Sequence, residues 1–96
     1  MPEEARDATR DAVFAAGGGL IGGYERCSWY AKGTGTFLAR EGAEPAIGRV
    51  GEEEHVDEYR VEIVVDEEAL TAAVDALRKA HPYEEVAFDL YPLHTL

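Results

Sequence analysis

His81-Pro82-Tyr83-Glu84-Glu85-Val86-Ala87-Phe88-Asp89-Leu90-Tyr91-Pro92-Leu93 closes a helical pattern and opens an extended one, and its reading decides the fold. Proline lacks an amide proton and clashes with the turn before it, so Pro82 ends the helix at His81. The chain then re-forms as an extended segment, a strand expected over 87–93. Upstream, Asp66 is placed as an N-cap, Glu67 and Glu68 fill a first turn, and Ala69, Leu70, Ala73, Val74, Leu77 and Ala80 make a buried helical stripe. Before that helix, Tyr59-Arg60-Val61-Glu62-Ile63-Val64-Val65 alternates as a strand, with Tyr59, Val61, Ile63 and Val65 on one face.

A second helix opens the sequence. Pro2 suits its first turn, Glu3 and Glu4 complement its dipole, and Ala5, Ala8, Ala12, Val13 and Ala16 are spaced for one face. Gly17-Gly18-Gly19 ends it. The two helices read as copies of one unit, because Glu3-Glu4-Ala5, Asp11-Ala12 and Ala16 recur 64 positions later as Glu67-Glu68-Ala69, Asp75-Ala76 and Ala80. Between them, 24–30 and 35–39 read as strand pieces interrupted by glycines, and 41–54 as a Gly- and Glu-rich loop. The order α-β-β-α-β is the split βαβ, ferredoxin-like plan of the α+β class, with two helices on an antiparallel sheet and the first strand missing. At 96 residues, the sequence fits one domain, 1–96.

Composition narrows function. A formal charge of -11 repels phosphate backbones and anionic lipid, so neither nucleic acid nor a membrane is an expected partner. The single Cys27 excludes an intramolecular disulfide. No basic segment followed by an apolar run opens the chain, and a cytoplasmic location is expected.

Several stretches together carry a family resemblance: Pro2-Glu3-Glu4, Phe14-Ala15-Ala16-Gly17, Ile21-Gly22-Gly23-Tyr24, Cys27-Ser28, Gly33-Thr34-Gly35-Thr36-Phe37, Glu41-Gly42-Ala43-Glu44-Pro45, Ile47-Gly48, Glu54-His55-Val56 and the closing His-Pro-Tyr-Glu-Glu segment. The chain resembles the insert domain of Nif-three-like (NGG-interacting-factor-like) proteins, a domain similar in fold to CutA and the PII signalling proteins. The resemblance implies a ferredoxin-like homo-oligomer, a trimer before a dimer. It also implies a separate metal-centre core protein as a candidate partner, since full-length relatives carry a dinuclear metal centre in flanking segments. The GTP cyclohydrolase homologue annotation of those relatives is not transferred, because the 96 residues do not include the metal-binding segments.

Candidate site residues follow from chemistry. Tyr24 and Trp29 are aromatic anchors for an interface, and Thr34 and Thr36 in Gly33-Thr34-Gly35-Thr36 could cradle an anion, against the reading of a bulged strand or hairpin. His81, Tyr83, Glu84 and Glu85 form a ligand or interface group, and His55, His81 and His94 are candidate ligands for a divalent metal such as Zn or Cu. The competing reading makes His81 a helix terminator and the glutamates solvated charges. Cys27 has no identifiable base and reads as core, and Glu52-Glu53-Glu54 as a solvated loop. The leading expectation is a non-catalytic, self-associating module with a small ligand or metal between subunits in a regulatory role. The alternative is an enzyme, or an accessory to one, acting on a nucleotide or phosphorylated metabolite.

Overall fold

The computed structural model describes residues 1–45, 48–82 and 86–94. Helix α1 (Glu3–Ala15) leaves an extended Pro2, carries Glu3 and Glu4 in its first turn, and ends where Gly17 takes φ +108°. Strands β1 (Trp29–Leu38) and β2 (Glu53–Glu62) pair antiparallel, from Trp29 opposite Glu62 to Leu38 opposite Glu53. A 3-10 turn at Glu67–Ala69 leads into helix α2 (Leu70–Ala80), which stops at an extended His81, as the proline requires. Two helices and a two-stranded antiparallel sheet make the chain an α+β protein.

Both helical segments open from an extended residue, as N-cap positions usually do. Pro2 (φ -66°, ψ 154°) and Asp66 (φ -67°, ψ 147°), 64 residues apart, begin the two helical segments in nearly the same conformation. Buried Ala5, Thr9 and Val13 correspond at the same offset to Ala69, Ala73 and Leu77. The helices pack antiparallel, the end of α1 against the start of α2: a methyl built on Gly17 would sit 2.9 Å from the Ala69 Cβ.

Several sequence expectations are corrected. The pieces 24–30 and 35–39 are replaced by one strand from Trp29 to Leu38, whose register runs through Gly33 and Gly35 without a bulge, and 24–28 lie outside it. The strand expected over 59–65 begins at Glu53 and ends at Glu62; beyond it Val65 forms an isolated bridge to Gly18 and the Val64 carbonyl accepts the Gly19 amide at 2.7 Å. Asp66 makes no side-chain cap hydrogen bond. Ala8 is exposed, and Thr9 takes its place in the buried stripe of α1. The expected strand over 87–93 is not formed: the backbone there is irregular, and no hydrogen bond joins it to another described segment. A strand needs a neighbour, and the sheet offers none at that position.

The outer half of the hairpin reaches away from the helices, and the molecule measures 47 × 25 × 24 Å. Its radius of gyration is 14.8 Å, against about 12.5 Å for a compact chain of this length. Its accessible surface is 7188 Å², against roughly 5,400 Å² for a folded monomer of this mass.

Two packing details give testable energetics. Thr9 is 1% exposed and its hydroxyl has no hydrogen-bond partner among the described residues, a burial that costs about 1–3 kcal/mol. Thr9→Val keeps the shape and removes the hydroxyl, so urea unfolding of this variant is expected to show a gain of that order. A methyl on Gly18 would lie 2.8 Å from Val13 Cγ1 and 3.2 Å from the Val13 carbonyl. Gly18→Ala is therefore expected to lose about 1–3 kcal/mol by overpacking, whereas Gly23→Ala, with open space around it, stays within about 0.5 kcal/mol.

Candidate functional site

The inner half of the sheet is covered by guanidinium groups of α1. Arg6 and Arg10, one helical turn apart, project onto Tyr30 of β1 and Tyr59 of β2. The Arg6 guanidinium lies 4.7 Å from the Tyr30 ring centre and 4.6 Å from that of Tyr59, and Arg10 lies 5.3 Å from Tyr30. The two tyrosine rings meet edge to face at 5.6 Å. Asp7 joins both arginines, accepting from Arg6 Nε at 3.1 Å and Arg10 Nη1 at 2.9 Å, and Arg10 Nε donates to Ser28 Oγ at 3.2 Å. Hydrogen bonds from Arg6 and then Arg10 hold the Asp7 carboxyl below the usual carboxylate range. These arginines are engaged within the fold, so the stack is a packing device. Sequence reasoning missed it; the signal was the four-residue spacing of Arg6 and Arg10 on the α1 face.

A second cluster gathers at the edge of β2. The Met1 amino group donates to the Tyr59 carbonyl at 2.7 Å, and the Tyr59 amide donates back to the Met1 carbonyl at 2.6 Å. The same ammonium lies 3.5 Å from Glu58 Oε2. A methyl at Gly35 would collide with the Glu58 carboxylate, so glycine there gives Glu58 its place across the hairpin. His81 closes this corner from the end of α2 and is buried. Desolvation first, and then the Met1 ammonium, push its imidazole below the ordinary value of 6.5, while Glu58 pulls it upward.

The structure separates the remaining candidates. Tyr24 and Trp29 are exposed, on a tight turn where Ile21 and Tyr24 exchange backbone hydrogen bonds and at the start of β1. Thr34 and Thr36 lie exposed in β1, opposite Asp57 and His55. Their ladder keeps the Gly-Thr run extended, not curved into the concave nest an anion needs. Thr34 lines an open depression of about 280 Å³ with Ala31, Lys32, Gly33, Glu58, Tyr59 and Arg60. His55 is exposed beside Glu53 at 3.7 Å, and His94 is exposed in the segment after α2. Tyr83, Glu84 and Glu85 lie outside the described residues. Cys27, expected in the core, is half-buried, with Sγ 3.8 Å from the Glu25 carbonyl. Among the described residues no group of three or more His, Cys, Asp and Glu side chains is placed to hold a metal ion. No helix among them is long and apolar enough to cross a membrane.

With this geometry in hand, comparison with known proteins is informative. The crystal structure of a Bacillus cereus protein related to NIF3 matches with a TM-score of 0.85 and 38% identity, over 99% of this chain and 24% of that one. The chain is similar in sequence and fold to a segment of NIF3-related proteins. A GTP cyclohydrolase 1 type 2 homolog of Mycobacterium tuberculosis is 54% identical over 93 residues, 97% of this chain and 24% of the relative. The homolog of Bacillus subtilis is 44% identical over 93 residues, 97% of this chain and 25% of the relative. The chain thus spans about a quarter of the length of the curated relatives it matches. No family model matches it.

The His81 corner sets a pH dependence. A group whose folded pKa is depressed stabilises the fold above its unfolded pKa and loses that contribution as pH falls through the folded value. Stability in urea is therefore expected to decline from pH 7 downward, starting near 6.5. His81→Leu, which cannot be protonated, should flatten the decline between about pH 7 and 5.5. An unchanged profile would place the titration elsewhere.

Proposed function

We propose that the chain is a non-catalytic, self-associating module of a NIF3-like protein. The observation that carries this reading is the surface left uncovered. Leu20, Ile21, Tyr24, Trp29, Tyr30, Leu38, Val50, Leu90, Tyr91 and Leu93 are all exposed. The chain shows roughly 1,700 Å² more surface than a folded monomer of its mass. That excess matches the total buried in a standard protein–protein interface, about 1,200–2,000 Å². Aromatic and aliphatic groups of this kind form the core of such interfaces.

A regulatory ligand, a small molecule or a divalent metal, is assigned to the junction between copies near His81. His81 is the buried imidazole among the described residues, and the chain continues from it into Tyr83, Glu84 and Glu85. The activity in the printed name of the curated relatives belongs to those longer proteins. Nothing in the described geometry gathers an acid, a base and a nucleophile into one cleft.

Sedimentation velocity at micromolar concentration tests the proposal. The expected species is larger than the 10.5 kDa monomer and strengthens with salt, because a net charge of -11 on each copy opposes approach until it is screened. A single monomer at both low and high salt would overturn it.

A further inference from the structure

The outer edge of β1 lies across the hairpin from β2, so whatever pairs along the far side of β2 leaves it as it is. Its polarity follows from the register. Tyr59 gives both its backbone groups to Met1, on the side away from β1, so Lys32, directly opposite it in the ladder, points both of its own away from β2. Just past the strand, the Ala39 carbonyl accepts from the Gly51 amide on the β2 side, which fixes the same alternation. Tyr30, Lys32, Thr34, Thr36 and Leu38 therefore turn their N–H and C=O groups outward. Among the described residues none of these groups has a hydrogen-bond partner.

This edge lacks the devices that keep strands apart. Exposed edge strands are ordinarily very short, bent by a bulge, broken by proline or studded with charge. β1 runs unbulged through ten residues, contains no proline, and carries Lys32 as its one charged side chain. None of the 20 acidic residues of the chain falls between Arg26 and Arg40. In a molecule of formal charge -11, this is the stretch along which two copies approach with the least repulsion. Tyr30 is 42% and Leu38 52% exposed, and aromatic and aliphatic residues of this kind stabilise one another as cross-strand pairs.

We propose that β1 pairs with β1 of a second copy, antiparallel about a two-fold axis at Thr34, joining two hairpins into one four-stranded sheet. Self-complementarity sets the register. With the axis at Thr34, that residue faces itself, Lys32 faces Thr36 and Tyr30 faces Leu38, so every outward-facing residue of β1 is used. Each of these pairs exchanges two backbone hydrogen bonds, about ten in all. Gly33 meets Gly35 between them, with no side chain to hold the strands apart. The two Lys32 side chains stand about 14 Å apart along the strands, and the acidic β2 strands become the outer edges, also about 14 Å apart. Both separations exceed the screening length of about 8 Å at physiological salt. The proposal rests on the self-association reading and names where two copies meet.

Cysteine capture tests the register, in a chain whose one native thiol is removed by Cys27→Ser. Residues opposed in a hydrogen-bonded pair have Cα atoms about 5.5 Å apart, within disulfide range. Thr34→Cys is therefore expected to form a disulfide-linked dimer under mild oxidation at least about tenfold faster than Leu38→Cys, whose two copies lie about 27 Å apart. Charge variants at Thr36 test the same contact without a cross-link. Thr36→Glu sets a carboxylate opposite Lys32 twice and is expected to lower the dissociation constant about fivefold, on the scale of two cross-strand ion pairs, while Thr36→Lys raises it by a similar factor. General repulsion predicts the reverse, since glutamate takes the chain further from neutrality and lysine brings it nearer. Equal capture at positions 34 and 38, or Thr36 variants that follow net charge, in a wild type that associates, overturns the β1 contact and assigns self-association to another face. Sedimentation velocity that finds the wild type monomeric removes the self-association reading, and this contact with it.

Discussion

A ribbon of two strands is about 10 Å wide, whereas two helices packed side by side need about 20 Å of sheet beneath them. The structure has two helices and two strands, and its exposed edge, small core and surplus surface follow from this mismatch. A two-stranded hairpin alone is marginal in water. Here its inner half is held by α1 and its outer half projects into solvent.

The fold compensates locally. Where a wider sheet would place aliphatic side chains against α1, Arg6 and Arg10 lay their flat guanidinium groups over Tyr30 and Tyr59, and Asp7 holds the two together. Guanidinium suits this position because it stacks on aromatic faces and is weakly hydrated. The apolar core is correspondingly thin, with Ala5, Val13 and Ala73 as its buried hydrophobic residues among those described. These small side chains let α1 and α2 approach closely.

The sequence disclosed what a single element decides for itself. Pro82 placed the end of α2, and Pro2 and the glycines bounded α1. Pairing was less legible. The outer half of β2, Glu53 to Glu58, alternates exposed and half-buried positions, but two of the three half-buried ones are Glu54 and Glu58, so it carries no hydrophobic alternation. Conversely, 86–93 has the residues of a strand and no strand geometry, because a ladder depends on a neighbour that residue pattern cannot supply. Of the candidate site, His81 was readable as a helix terminator, because Pro82 follows it. The Met1, Glu58 and His81 corner was not, since it joins residues far apart in the chain through a tertiary contact.

Exposed aromatic and aliphatic groups over a thin apolar core describe a module that is completed by contact with another surface, which the account assigns to a second copy. Amide hydrogen exchange, resolved by residue and followed over a range of protein concentration, tests this claim most directly. The account expects amides beside the exposed apolar groups, such as Leu20, Ile21, Leu90 and Tyr91, to gain protection as concentration rises, while the amides paired between β1 and β2 stay unchanged. Exchange that is independent of concentration throughout would contradict it.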